Sequence, residues 1–207
     1  MPHHIFHLAT LFMMRTALAR VAIVACAVLA VACGDPTRPR ATYANTLNSY
    51  TLYPLTGGPA IAPNAISLLG GATRATAAAS FDLAFDLDAS GRPIVYPIRL
   101  VIGGLAGYVK RIGLQVVPGT FESVREVPAS GYDTLNAKTV SPGTVLAIEV
   151  LEVGSFSACF ASIFSQQLYA KLVVDSVNAT ARRLHVRTVV DPNCGYRSVV
   201  PDSVPTR

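Results

Sequence analysis

Residues 81–88 alternate between apolar side chains and Asp or Ala, a two-residue period that is typical of an extended strand with one buried face. The apolar positions are Phe81, Leu83, Phe85 and Leu87. Successive side chains of a strand point to opposite faces, so these four share one side. A helix, with 3.6 residues per turn, would scatter them around its axis. The pattern therefore predicts a strand within an antiparallel sheet.

The alternation resumes after a turn-like composition at residues 89–92, which predicts a β-hairpin with a second strand over residues 93–100. Pro93 and Pro97 lack a backbone N–H, so this strand is expected at a sheet edge or beside a bulge. A four-residue turn sets the register. The predicted cross-strand pairs are Leu87–Ile94, Phe85–Tyr96, Leu83–Ile98, Phe81–Leu100 and, as an ion pair on the opposite face, Asp82–Arg99.

Similar extended segments recur along the chain, separated by Pro-Gly, Gly-Gly and Ser-Gly breaks. The further predicted strands are residues 44–53, 112–117, 121–127 and 144–151, together with a second hairpin formed by residues 168–177 and 183–190. Helix is expected only as a turn or two within residues 158–167 and in the N-terminal segment. The fold class predicted is all-β, an antiparallel β-sandwich or partly open barrel preceded by a signal-peptide helix.

The N-terminal segment has the organisation of an export signal. Arg15 and Arg20 precede an apolar run over residues 21–32, which is shorter than the roughly 20 residues that span a bilayer as a helix. The run ends in Leu-Ala-Val-Ala-Cys at residues 29–33, which resembles the lipobox of bacterial lipoproteins. The resemblance implies that the Cys33 thiol carries a diacylglycerol and that Cys33 becomes the new N-terminus.

This resemblance also implies a division of the chain: residues 1–32 as signal peptide, 33–42 as a lipidated tether and 43–207 as a single β domain. We expect translation to start at Met13 or Met14. Because Gly34 rather than Asp follows the cysteine, the resemblance implies an outer-membrane location, facing the periplasm or the surface. An ordinary secreted protein cut near the same place and an uncleaved single-helix anchor remain alternatives.

Two cysteines remain in the mature chain after Cys26 leaves with the signal and Cys33 takes the lipid. Cys159 and Cys194 form an even pair in a compartment that permits oxidation, which predicts a disulfide. The alternative is two unpaired buried thiols.

Basic residues concentrate around the second hairpin and its C-terminal neighbour, and they form the strongest candidate for an anion or ligand site. The candidates are Lys171, Arg183, Arg187 and Arg197. The alternative is a solvated sheet face with Asp175 as an ion-pair partner. A weaker candidate is a calcium loop at Asp86, Asp88 and Ser90, because the twelfth position of such a loop needs a Glu and here is a Pro. No other metal site and no cofactor are predicted.

Charge and motifs exclude several functions. The formal charge of +5 falls to about +3 once Arg15 and Arg20 are removed, too little to indicate nucleic-acid binding. The chain lacks the local motifs of serine hydrolases and zinc proteases. We therefore expect a non-enzymatic envelope component, in binding or structure, whose partners are the membrane and an envelope protein. The alternatives are a hydrolase that assembles Ser, Asp and His185, and a carrier of a small ligand inside a hollow barrel.

Overall fold

The computed structural model of the chain describes residues 40–76, 81–102, 110–152, 159 and 165–206. These residues belong to one compact unit, Arg40–Arg207. The strands are β1 (Thr46–Leu52), β2 (Ala65–Ser67), β3 (Gly71–Thr73), β4 (Leu83–Leu87), β5 (Pro93–Pro97), β6 (Lys110–Val117), β7 (Lys138–Thr139), β8 (Val145–Glu152), β9 (Gln167–Asn178) and β10 (Arg183–Asp191), and one helical turn, α1, spans Ile98–Val101. None of the described helices is long and apolar enough to cross a membrane.

The strands form two separate antiparallel sheets, and neither closes into a barrel. The first sheet has the strand order β1-β10-β9-β8-β6, and the second has the order β3-β2-β4-β5-β7. Every pairing between neighbouring strands is antiparallel. The predicted all-β, antiparallel class is therefore confirmed.

The two sheets share one apolar core, because each contributes its alternate side chains to the same cluster. The first sheet supplies Ile112, Leu146, Ile148, Leu172 and Leu184, and the second supplies Ile66, Leu83, Phe85 and Val95, all of them buried. Burial of this apolar surface is the main favourable contribution to folding.

The opposite face of the first sheet is also covered, by an outer layer made of residues 118–133 and 196–200. Phe121, Val124, Val127 and Val199 of this layer pack on Val173 and other residues of the sheet. Burial on both faces explains why β8 is almost continuously apolar rather than alternating.

The prediction of a strand at residues 121–127 is wrong. The segment contains a turn, in which Ser123 and Val124 N–H both donate to the Thr120 carbonyl, and it joins other backbone only through an isolated bridge between Glu126 and Ser198. Its buried residues lie three apart in the chain, a spacing that a period-two strand does not produce.

The first hairpin exists, but its predicted register is wrong by one residue. Leu83 lies opposite Pro97, Phe85 opposite Val95 and Leu87 opposite Pro93. The connection has five residues, not four, because the Asp88 carboxylate accepts hydrogen bonds from the N–H groups of Ser90 and Arg92 and closes a longer turn.

The predicted extension of that hairpin to residue 100 is also wrong. After Pro97 the chain forms α1, which buries Ile98 and leaves Leu100 exposed. Arg99 consequently does not reach Asp82, whose ion-pair partner is Lys110.

The other predicted strands are confirmed. Residues 44–53, 112–117 and 144–151 correspond to β1, β6 and β8, and the second hairpin corresponds to β9 and β10. A bulge lies between His185 and Val186 in that hairpin. The predicted helix within residues 158–167 lies largely outside the described residues, as do the signal segment and the tether before residue 40.

Candidate functional site

Strand β1 has an open edge. On the side away from β10, Asn45 exchanges two backbone hydrogen bonds with the C-terminal segment: its N–H donates to Ser203 O at 2.9 Å, and Asp202 N–H donates to Asn45 O at 3.0 Å. At the other end Tyr53 N–H donates to Pro63 O at 2.9 Å.

Backbone groups of alternate residues point to the same side of a strand, so three residues between these ends direct N–H and C=O outward. They are Leu47, Ser49 and Thr51. Within the described part of the chain, no group hydrogen-bonds to these N–H or C=O groups. Three adjacent backbone donor and acceptor pairs are thus available to another chain.

The other described sheet edges are protected in ways that β1 is not. β3 and β7 have only three and two residues. β6 begins with Lys110 and Arg111, and its Leu114 exchanges two backbone hydrogen bonds with Asp133. β1 is seven residues long and contains no charged residue, proline or glycine. Short edges, charges and covering segments are the usual protection against strand addition.

A cleft lies beside this edge, between the inner face of β1 and the turn that joins β2 to β3. Its volume is about 200 Å³, and its lining residues are Thr46, Asn48, Tyr50, Leu68, Leu69, Gly70, Gly71 and Val190. Leu69 is 56% exposed in this lining. The cleft therefore joins apolar surface to the backbone of the open edge.

A buried ion pair holds the second wall of the cleft in place. Asp82 accepts a hydrogen bond from Leu68 N–H at 2.5 Å through one carboxylate oxygen and one from Lys110 Nζ at 2.6 Å through the other. Asp82 is buried. Charge-assisted hydrogen bonds of this kind are among the stronger ones in proteins. The position of the turn is accordingly fixed from the core.

The cleft carries no charge at neutral pH. Tyr50 is its one ionisable lining residue, and burial raises the pKa of its phenol, an effect that the nearby Thr188 hydroxyl partly offsets. The two hydroxyls face each other without a well-formed hydrogen bond. The remaining lining groups are aliphatic, amide, hydroxyl or backbone.

Two of the basic residues predicted as an anion site, Lys171 and Arg187, bind groups of the protein itself. Lys171 is buried; its ammonium donates to the carbonyls of Phe121 (2.5 Å) and Val124 (2.8 Å) and lies 4.5 Å from the Phe121 ring centroid. Desolvation lowers its pKa to about 8. Arg187 contacts the same ring and pairs with Asp175 and Glu122. Hydrogen bonding to Asp175 is the main reason that its pKa is raised.

The other two predicted residues share no partner with this pair. Arg197 pairs with Glu126 and donates to Val127 O, within the outer layer. Arg183 lies at the turn end of the β9–β10 hairpin, and its buried Nε has no hydrogen-bond partner. Of the four predicted residues, the structure therefore brings together only Lys171 and Arg187, and both already bind carbonyl or carboxylate groups of the protein.

The two carboxylates of the predicted calcium loop, Asp86 and Asp88, accept hydrogen bonds from different groups of the protein. Asp86 accepts a 2.7 Å hydrogen bond from the Thr56 hydroxyl, whereas Asp88 accepts bonds from Ser90 N–H and from Arg92. The bonds from Arg92 and Ser90 lower the pKa of Asp88. Among the described residues, no three His, Cys, Asp or Glu side chains lie close enough to hold a metal ion.

His185 lies on an exposed strand face, where Nδ1 is 3.3 Å from the Thr51 hydroxyl. The hydrolase alternative requires a Ser or Asp beside His185 at the floor of a cleft. In the described part of the structure, the side chain that contacts His185 is Thr51, on an exposed face. The carrier alternative requires a hollow barrel, and the two sheets do not form one.

The predicted disulfide is present: Cys159 and Cys194 are bonded, with a Cα–Cα distance of 5.6 Å. The adjacent Asn193 holds the start of the domain. Its side-chain carbonyl accepts from Thr42 and Tyr43 N–H, and its amide donates to Tyr43 O.

Sequence reasoning located the segment of β1 but missed that it forms the open edge of a sheet. The available signal was the uncharged, proline-free composition of residues 46–52, but only the sheet order shows that the strand lies at an edge. The Asp82–Lys110 pair was missed because the two residues are far apart in the chain. Comparison of the chain with models of protein families, with curated proteins and with solved structures finds no match in any of the three, so the geometry of the site carries the functional argument.

Proposed function

We propose that this protein is a lipid-anchored cell-envelope component whose β-sandwich is a non-enzymatic binding module for an extended segment of an envelope partner. The observation that carries the binding role is the open edge of β1, with the outward backbone groups of Leu47, Ser49 and Thr51. Addition of a strand to an exposed sheet edge is a common mode of peptide recognition, because backbone hydrogen bonds supply affinity.

The anchor is supported by the resemblance of residues 29–33 to a lipobox. A diacylglycerol on Cys33 with a further acyl chain holds a protein stably on a membrane, whereas one chain binds only reversibly. Gly34 favours the outer membrane as the destination, with the domain facing the periplasm or the surface. A module tethered in this way meets envelope partners at high local concentration.

The anchor is tested by metabolic labelling with a palmitate analogue in a host that processes lipoproteins. Wild type is expected to take up label and to fractionate with membranes, and Cys33→Ser is expected to lose both. Cys26→Ser, inside the apolar run, is the matched control and should label like wild type. An unlabelled, freely soluble wild-type protein would contradict the anchor.

The binding role is tested by photo-crosslinking in intact cells, with a crosslinking amino acid at Leu47. A specific adduct is expected there and not from exposed Val116 on β6. Ser49→Pro removes one outward N–H while the bonds of β1 to β10 remain, so it should abolish the adduct. Ser49→Thr keeps the N–H and should preserve it. An adduct that persists in a folded Ser49→Pro protein would contradict binding at the edge.

A further inference from the structure

The open edge of β1 admits only a short segment. The positions of a neighbouring strand opposite Asn45 and Tyr53 are already taken by residues 202–203 and by Pro63. Only the seven residues of β1 itself remain available, which corresponds to roughly 23 Å of extended chain at about 3.3 Å per residue. A longer strand would have to turn away at both ends.

This limit excludes symmetric pairing with a second copy of the chain. Antiparallel pairing of two β1 strands about Ser49 would place Asn45 of one copy opposite Tyr53 of the other. Both positions are filled by each copy's own backbone. We take the occupant to be a segment of a different protein, as in the proposed function.

The cleft adds selection for a side chain. Residues of an added strand alternate between the two sheet faces, so those beside Asn48 project to the same side as Asn48, over the cleft. An apolar cavity of about 150 Å³ admits a benzene ring, so a cleft of about 200 Å³ has room for one leucine or phenylalanine side chain. A charged side chain would lose hydration there and find no counter-charge among the lining residues.

We infer that β1 recognises an uncharged extended segment of about seven residues that inserts one leucine- or phenylalanine-sized side chain into the cleft between β1 and the β2–β3 turn. This inference rests on the proposed binding role and names the class of its ligand. Backbone pairing supplies the general affinity, and the cleft supplies the selectivity.

The test uses the mature protein purified in detergent and capped, fluorescent heptapeptides of threonine with Leu, Phe, Ala, Glu or Lys at the fifth position, which lies opposite Asn48 in antiparallel pairing with β1. In fluorescence polarisation, the Leu and Phe peptides should bind at least fivefold more tightly than the Ala peptide, and the Glu and Lys peptides more weakly still. Asn48→Phe fills the cleft and leaves the outward backbone unchanged, so it should remove the preference for Leu and Phe. Val116→Phe, at an exposed position of β6 outside the cleft and the open edge, is the matched control and should keep the preference.

The outcomes separate the inference from the function on which it rests. Equal binding of all five peptides, unaffected by Asn48→Phe and abolished by Ser49→Pro, would overturn the side-chain selectivity and leave edge binding intact. Absence of binding to every heptapeptide, or binding that Ser49→Pro does not weaken, would overturn both. Asn48→Leu provides a smaller filling of the cleft where Asn48→Phe fails to fold, and the same loss of preference is expected.

Discussion

Lys171 is an ammonium buried among neutral acceptors. It lies on β9, the central strand of the first sheet, beneath the outer layer, and two carbonyls and the Phe121 ring surround it. The charged groups that act on it are Glu122, which favours its charge, and Arg187 and Arg125, which oppose it. Desolvation outweighs these effects, so the folded state holds its proton less tightly than the unfolded chain.

This burial predicts a specific pH dependence of stability. The pKa of Lys171 is about 8 in the fold, against 10.5 for an ordinary lysine. Between these values the unfolded state binds more protons, so the free energy of unfolding should rise by about 1–2 kcal/mol from pH 8 to pH 10. The raised pKa values of Tyr169, Tyr132 and Tyr50 oppose this rise as the pH approaches 10, because these phenols ionise more readily in the unfolded chain.

Urea unfolding at pH 7, 8, 9 and 10 measures the effect. Lys171→Met should lack the rise, whereas Lys138→Met, which removes a half-buried partner of Asp133, should retain it. The same pH profile in wild type and Lys171→Met would show that Lys171 is not the group responsible. The sequence did not indicate this burial, because a lysine in a strand is usually at the surface and the covering loop is about 50 residues away in the chain.

At the scale of elements, strand positions could be predicted where apolar side chains set the period, and registers could not. The hairpin of β4 and β5 was predicted from alternation, but its register depends on turn length, and the turn closed by the Asp88 carboxylate is one residue longer than predicted. Shifting the register by one residue exchanges the faces. As a result Pro93, Val95 and Pro97 face the core instead of Ile94 and Tyr96.

Strand β6 has a close contact that predicts a sensitive position. A Cβ added at Gly113 would lie 2.5 Å from Tyr132 Cβ, an atom near the backbone with little freedom to move. Tyr132 is also held by its hydroxyl, which donates to Pro128 O at 2.8 Å, and by its tilted packing on Tyr169. Gly113 therefore allows residues 128–133 to lie against the sheet.

Gly113→Ala should destabilise the fold by about 1–3 kcal/mol through this overlap. Thermal unfolding measures the loss, and near-ultraviolet circular dichroism should report a change in the environment of Tyr132. The double variant Gly113→Ala with Tyr132→Gly tests the cause, because removing the opposing side chain should make the alanine almost neutral. A Gly113→Ala protein as stable as wild type would show that the outer layer adjusts freely.

At the scale of the whole molecule, the sequence predicted an antiparallel all-β fold because local alternation and turn residues are sufficient for that class. The order of strands in the sheets depends on contacts between distant segments. β1 pairs with β10, nearly 140 residues later, and its first residues also bond to the C-terminal segment. The candidate site is a consequence of that order, so no local pattern could have identified it.

The disulfide and Asn193 together join the end of the chain to its start. Cys194 is bonded to Cys159, and its neighbour Asn193 holds Thr42 and Tyr43, immediately before β1. Closing a loop of 35 residues stabilises a fold by roughly 3–4 kcal/mol on the chain-entropy account. Loss of the disulfide should therefore weaken global stability and, through Asn193, loosen the start of β1.

Replacing both cysteines, Cys159→Ala with Cys194→Ala, should lower the free energy of unfolding by about 3 kcal/mol in urea. Hydrogen exchange at residues 42–46 should accelerate more than exchange at the centre of β9, because the amide contacts of Asn193 hold the former and the core holds the latter. Reductant should destabilise wild type and leave the double variant unchanged, which separates the disulfide from other effects of the reductant. Asn193→Ala should reproduce the faster hydrogen exchange at residues 42–46 with a smaller loss in the free energy of unfolding. Hydrogen exchange that accelerates uniformly along the chain in both variants would contradict a link between the disulfide corner and β1.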